Sequence, residues 1–456
     1  MKISNDDVVI EAATPFENAL PGREAFGEKV SELFDELEGA SVIALDGEWG
    51  TGKSTFLKMW VEAHRSKIAA KGRVIYFDAF EHEFLDDPLA SLVARLDLEI
   101  GATPQGKMRK LTHAATKLLG PAARVGLAAA SGGLSEFVGQ PLTKAADKTT
   151  ELVDAELDAI WGATKSRIEA VEDFRLSLTA IANSAEGNKG KLIFVIDELD
   201  RCRPDYALQF LEVIKHFFAV SNVHFLLGVN LRSLRVSVEA RYGQGTGADE
   251  YLRKFIHLTK ALPDVVDGFA GVTSSGAYCE ILCEQMRLPE HLKGEIKRQL
   301  SIISVHREVG LRDVEQIVHK AQLLPADFEH FPWGVREMLV TMVLMFCLER
   351  DLFKKVLKGS IALEEVMQFL KGGINSAEYS SQDRRWIDRA LRCWEIALMD
   401  QDEKLEPGGQ ARVRELAVSL EGAFGPFIGH VDAVRFNIRK LAHDHIENWD
   451  TRPFEQ

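Results

Sequence analysis

Two hydrophobic rhythms alternate along the first 265 residues. Phe26, Val30, Leu33, Phe34 and Leu37 recur at three- and four-residue spacing, which predicts an amphipathic helix within residues 15–40, ended by Gly39. Continuous apolar runs follow at Ser41–Leu45, Val74–Phe77, Leu192–Ile196 and Val223–Val229. Runs apolar on both faces and separated by helical stretches predict buried parallel strands, covered on both sides by helices. A helix is expected from Lys53 to about Ile68, and another where Pro88 suits a first turn. From Gly101 to Lys148 the pattern loosens into Gly, Ala, Ser and Lys. Helical periodicity returns over Thr149–Ala185 with Leu152, Leu157, Ile160, Ile168, Val171 and Leu176.

After Pro263 only helical patterns stand out, among them Val314–Leu323, Val335–Leu348, Ile361–Leu370, Trp386–Met399 and Val413–Leu420. The fold class expected is therefore α/β: a mostly parallel sheet flanked by helices, with a helical insertion and a helical C-terminal region. The expected division is a core of residues 1–100 and 186–265, an insertion of 101–185, a helical lid of 266–330 and a C-terminal domain of 331–456. A length of 456 residues fits several domains better than one core.

Gly47-Glu48-Trp49-Gly50-Thr51-Gly52-Lys53-Ser54 satisfies the pattern G-x-x-x-x-G-K-[ST] between a strand and a helix. Glycines let successive backbone N–H groups turn toward phosphate oxygens, and the new helix adds its positive end. Lys53 is expected at the β- and γ-phosphates, Ser54 on Mg²⁺ and Thr55 near the α-phosphate. Trp49 suits a surface aromatic, a stacking residue or a plug against the preceding helix, and packing is the expectation. Asp197 closes an apolar strand and can hold the Mg²⁺ of Mg·ATP through water, while Glu198 beside it can polarise the attacking water. Arg201 suits either a carboxylate or a nucleotide across a subunit boundary. Asn230, at the end of the next strand, can bond the attacking water or the γ-phosphate, or simply cap that strand.

Composition narrows the rest. A net charge of −14 opposes a global grip on nucleic acid and leaves only a local basic patch as a route to one. Five cysteines without a signal-like N-terminus fit a reducing, cytoplasmic setting. Cys279 and Cys283 share a helix face, but no second pair completes a zinc set, so both are read as core residues. His443 and His445 are read as surface residues. Leu118–Gly139 is long enough to span a bilayer, yet it is mostly Ala, Gly and Ser with Arg124 and Glu136, so membrane attachment is not expected.

The helix before GEWGTGKST, the stretch FDAFEHEFLDDPLASL, the acidic VIDELDRCRP, the strand FLLGVN and the segment YLRKFIHLTKALP together resemble the KAP family of P-loop nucleoside triphosphatases. That resemblance implies an ASCE-type core with the catalytic strand inserted. It further implies ATP hydrolysis, assembly into homo-oligomers, and roles at membranes or in bacterial defence against mobile elements. It makes Arg253 a candidate finger toward a neighbour's nucleotide and Arg312 a candidate second sensor. The helical C-terminal region is expected to bind a protein partner. The competing reading is a signalling scaffold that binds nucleotide, turns over little and recruits an effector.

Overall fold

The computed structural model describes residues 10, 13–17, 19–66, 72–100, 105–119, 151–183, 190–263, 273–325, 328–373, 378–399, 408, 412, 420 and 438–447. The chain divides into two compact units, one ending at Pro263 and one beginning at Asp264.

In the first unit the order is α1 (Arg23–Glu36), β1 (Ser41–Asp46), α2 (Lys53–Ser66), β2 (Gly72–Asp78), α3 (Ala79–His82), α4 (Pro88–Ile100), α5 (Gln105–Leu118) and α6 (Glu151–Ala182). It continues with β3 (Lys191–Asp197), α7 (Pro204–Phe217), β4 (Val223–Val229), α8 (Leu231–Tyr242), α9 (Ala248–Leu252) and β5 (Leu258–Ala261). The five strands form one sheet in the order β2-β3-β4-β1-β5, with every pairing parallel. β4 is thus the strand inserted between β1 and β3.

Alternation along each strand sorts the core into two layers. Ile43, Leu45, Val74, Ile193, Val195 and Leu226 face α1 and α2, where Phe34, Phe56 and Trp60 cover them. Val42, Ala44, Ile75, Phe77, Phe194 and Phe225 belong to the opposite layer with residues of α4, α5, α6, α7 and α8. Lys191, buried at the start of β3, donates to the carbonyls of Phe34, Asp35 and Leu37 at 2.8, 2.9 and 2.6 Å. A cation there satisfies the open carbonyls of α1 and meets the negative end of its dipole.

Three details differ from the sequence expectation. β5 pairs with β1, although all four of its residues are exposed and leave no apolar run to read. α5 forms inside the stretch that looked loose, burying Met108, Leu111, Ala114 and Ala115. α6 buries Ala170, Phe174, Leu178 and Ile181, whereas Ile168 and Leu176 point to solvent. Most of Leu118–Gly139 lies outside the described residues, and no helix among the described residues is long and apolar enough to cross a membrane.

The second unit is helical throughout its described residues, with α10 (Ser274–Gln285), α11 (Glu290–Ile303), α12 (Leu311–Ala321), α13 (Trp333–Leu348), α14 (Arg350–Lys358), α15 (Leu363–Lys371) and α16 (Ser381–Leu398) as its main elements. α13 is buried almost all round, from Val335 to Met345, as its unbroken apolar sequence demands. Cys279 and Cys283 lie in this core, with their sulfurs 3.8 Å apart. His445 is buried against Phe331, contrary to the surface expectation, while His443 is exposed. Val413–Leu420 lies outside the described residues apart from Leu420.

α13 carries one acid into the interior. Glu337 accepts from Trp386 Nε1 at 3.1 Å and from Arg389, while its own carbonyl accepts from Gln299 at 2.9 Å. Burial, reinforced by nearby Glu295, pushes the Glu337 carboxyl up to about 7 against the pull of Arg389. The folded unit therefore holds a proton that the unfolded chain releases near the ordinary glutamate value. Stability is greatest below that value and falls as pH rises toward 7, by about 1–3 kcal/mol. Melting curves at pH 5 and pH 8 measure it, and Glu337→Gln is expected to flatten most of the difference.

Candidate functional site: a phosphate loop beside an acidic strand end

Strands β1, β3 and β4 end side by side, and the side chains that follow them converge. At the end of β1, residues 47–52 form a loop in which Gly50 and Gly52 adopt φ of +85° and +83°, backbone open to glycine at little cost. The loop is pinned to β4 by the Gly47 amide, which donates to the Val229 carbonyl at 3.3 Å. α2 then begins at Lys53, so its unpaired N–H groups and positive dipole end open onto the loop.

Lys53 is buried, and its ammonium donates to the carbonyls of Gly47 and of Glu48, the latter at 2.8 Å. Burial lowers its pKa below the ordinary lysine range, opposed by the charges of Asp200, Asp197 and Asp46. The lysine thus sits where three carboxylates favour its charged form.

Asp197, 1 % exposed, accepts from Tyr76 Oη of the neighbouring β2 at 2.9 Å. Burial pushes its carboxyl up to about 6, with hydrogen bonds from Ser54 and Tyr76 opposing the rise. Ser54 Oγ also lies 3.3 Å from Glu198 Oε1. A hydroxyl against two carboxylates is a hard-oxygen donor set suited to Mg²⁺, with phosphate oxygens completing the coordination. Among the described residues no cluster of three or more acidic, histidine or cysteine groups would hold a metal by itself.

Asp197 owes its place to a glycine on the adjacent strand. Gly228 pairs with Asp197 across β3 and β4, and a Cβ at Gly228 would stand 2.9 Å from Asp197 Oδ1 and 2.3 Å from Leu57 Cδ1.

Glu198 turns the chain at φ +58°, in the left-handed region that costs a non-glycine residue of order 1–3 kcal/mol. Its carboxylate, 15 % exposed, pairs with Arg201 at 2.9 Å. Of the two roles open to Arg201, the structure shows the carboxylate pairing. Trp49 is not a packing residue: its ring is 53 % exposed, and its indole N–H donates to Asp200 Oδ2 at 2.6 Å, tying the phosphate loop to the acidic turn.

Asn230 does two jobs at once. Its side-chain oxygen caps α8, accepting from the amides of Arg232 and Ser233, and its amide nitrogen donates to Glu48 Oε2 at 3.1 Å. Asp46 Oδ1 accepts from the Leu231 amide at 2.9 Å, so β1 and β4 are cross-linked at the same edge.

Two arginines lie elsewhere. Arg253 follows α9, exposed, ahead of the point where β5 begins opposite Ile43, while the phosphate loop follows the other end of β1. Its neighbour Phe255 packs under Lys215 in the last turn of α7, the end that feeds the start of β4. Arg253 is therefore on the edge of the sheet opposite its own loop. Arg312 belongs to the second unit, exposed in the first turn of α12.

Two residues of this site stand in none of the sequence motifs, Tyr76 and Asp46, and each acquires its place through strand register or a turn. Asp200 and Gly228 lie within VIDELDRCRP and FLLGVN, but those motifs give neither a partner, and the lone glycine in an apolar run is the local signal for a close approach.

The sequence profile of the KAP family P-loop domain matches residues 23–268, more than half of the chain. The chain belongs to the KAP family. It is 24 % identical over 233 residues to the phage T7 exclusion protein of Escherichia coli K12, a match covering 50 % of this chain and 30 % of that relative. Solved structures of the Aeropyrum pernix ORC2 protein align with this KAP chain at low similarity. The ADPNP–ADP complexes share 14 % identity at a TM-score of 0.35, covering 88 % of each chain, and the ADP form shares 13 % at 0.35, covering 93 % and 97 %. Family membership makes this a nucleotide-binding P-loop protein.

Proposed function

We propose that this KAP protein binds Mg·ATP and hydrolyses it, using the cycle to drive assembly or a rearrangement of its helical second unit. The observation that carries the reading is the meeting of Lys53, Ser54, Asp197 and Glu198 at one strand edge, with Asp197 buried and Glu198 reaching the same hydroxyl. In this scheme the loop amides of residues 47–55 and the Lys53 ammonium neutralise the phosphates. Ser54 and Asp197 would hold Mg²⁺, whose charge would offset that of the phosphates. Glu198 accepts the proton of the attacking water, and the Asn230 amide, now shared with Glu48, orients that water or the γ-phosphate.

Arg253 lies away from its own loop, which supports a finger acting on a neighbouring copy and hence a homo-oligomer. Arg312 is assigned to the γ-phosphate of its own chain, as a second sensor. The second unit would bind a protein partner, with no membrane anchor required. Likeness to a phage exclusion protein over half of this chain supports a role in anti-phage defence.

ATP turnover and particle mass, followed together, test the scheme. Lys53→Ala is expected to weaken nucleotide binding at least tenfold, and Arg253→Ala to keep binding while losing turnover. Tight binding without turnover under every condition tried would replace hydrolysis by the scaffold reading. That alternative draws on the Arg201–Glu198 ion pair, which occupies the proposed base. Unchanged phage plating on deletion of the gene would remove the defence role.

A further inference from the structure

In the second unit, α11 and α16 border a cavity of about 600 Å³ whose polar wall is dominated by guanidinium groups: Arg298 from α11 and Arg385, Arg389 and Arg392 from α16. Spacings of four and three residues bring the three α16 arginines onto one face. Asp388 is the acid among the lining residues, and Glu337 and Glu295 act on Arg389 and Arg298 from behind the wall, so four guanidinium groups outnumber three carboxyls there, in a chain whose net charge is −14.

The fold uses part of this charge: Arg389 pairs with Glu337, Glu295 feels Arg298 and Arg389, and Arg392 has a partner of its own. The guanidinium groups of Arg298 and Arg385 have neither a hydrogen bond nor an ion pair to a described residue. Arg389 is the anchored member, donating to Glu337 and lying 4.5 Å over the Trp333 ring, yet its Nε is buried without a partner. Like charges gathered in one concavity repel, and burying an unpaired donor costs free energy. Both costs are offset by an anion that accepts from the planar forks of several arginines at once, as phosphate does.

Cavity size selects among phosphate carriers. A volume of about 600 Å³ is that of a site for a small molecule. A nucleic-acid strand would instead call for cations spread along a groove at the spacing of successive phosphates. We propose that this cavity binds a small anion bearing more than one phosphate group, held by Arg298, Arg385 and Arg392 around the fixed fork of Arg389.

Inorganic tripolyphosphate is the probe, titrated calorimetrically into the full chain carrying Lys53→Ala so that the phosphate loop contributes little. Saturable binding is expected, weakened at least tenfold by Arg385→Ala with Arg392→Ala, two exposed positions whose loss should leave the melting temperature unchanged. Arg298→Gln, on the opposite helix, gives an independent reading and should weaken binding in the same sense. Absence of binding, or an affinity indifferent to all three changes, overturns the proposal. A single-stranded oligonucleotide that binds through the same arginines more than tenfold tighter than tripolyphosphate also overturns it, in favour of nucleic acid.

Discussion

Glu198→Gln is expected to leave Mg·ATP bound and to lower its turnover by about 10²–10⁴-fold, the range set by removal of a positioned general base. Glutamine keeps the shape and hydrogen-bonding reach of glutamate, so the Ser54 contact and the left-handed turn at φ +58° have no reason to change. It removes the charge that pairs with Arg201 and the lone pair that would take the proton. Single-turnover hydrolysis, with protein in excess over ATP and at saturating protein concentration, isolates the chemical step from product release. Retention of turnover within threefold of the wild type would move the base to another acid, with Asp200 the next in the same turn.

Gly228→Ala is expected to cost about 1–3 kcal/mol of stability, as overpacking does in a filled interior. It is also expected to weaken Mg-dependent nucleotide binding more than tenfold. The added methyl would press on Leu57, fully buried on α2, and on the Asp197 carboxylate at 2.9 Å. Leu57 can change rotamer only by displacing its packed neighbours. Asp197 can move only by giving up its bond from Tyr76 or its place beside Ser54. Denaturant titration gives the first quantity, and nucleotide titration with and without Mg²⁺ gives the second. Wild-type affinity in the variant would show that the carboxylate has room to shift.

The frame of this molecule was legible wherever one residue's neighbours in sequence are also its neighbours in space. Val223–Val229 is read and observed with the same ends, because a strand buried on both faces is apolar at every position. The phosphate loop is legible for a related reason: its geometry is made by eight consecutive residues. Tyr76 is different, for it meets Asp197 only because β2 and β3 pair in a register that no local pattern encodes. α6 misleads because a long helix offers several apolar stripes, and the one with Phe174 and Leu178 is chosen by what lies beneath it. β5 is silent because an exposed edge strand is held by backbone hydrogen bonds, and its side chains need not be apolar. Trp49 departs from the packing expectation because its indole N–H has a carboxylate to reach, a partner that lies 151 residues along the chain.

The strand order sets a timetable for synthesis. β1 pairs with β4 and β5, and Ser41 has no strand partner until His224 has been made. At translation rates of about 5–20 residues per second, the finished phosphate loop waits on the order of tens of seconds for the strand that pins it. Until then an apolar strand and two glycine-freed turns are open to solvent and to chaperones. Every pairing in this sheet is parallel and non-local, the topology in which loop closure is costly and folding slow. The helical second unit, rich in contacts between neighbouring helices, carries no such delay. A nascent chain stalled before residue 223 should therefore lack a nucleotide site altogether, however complete its GEWGTGKS motif.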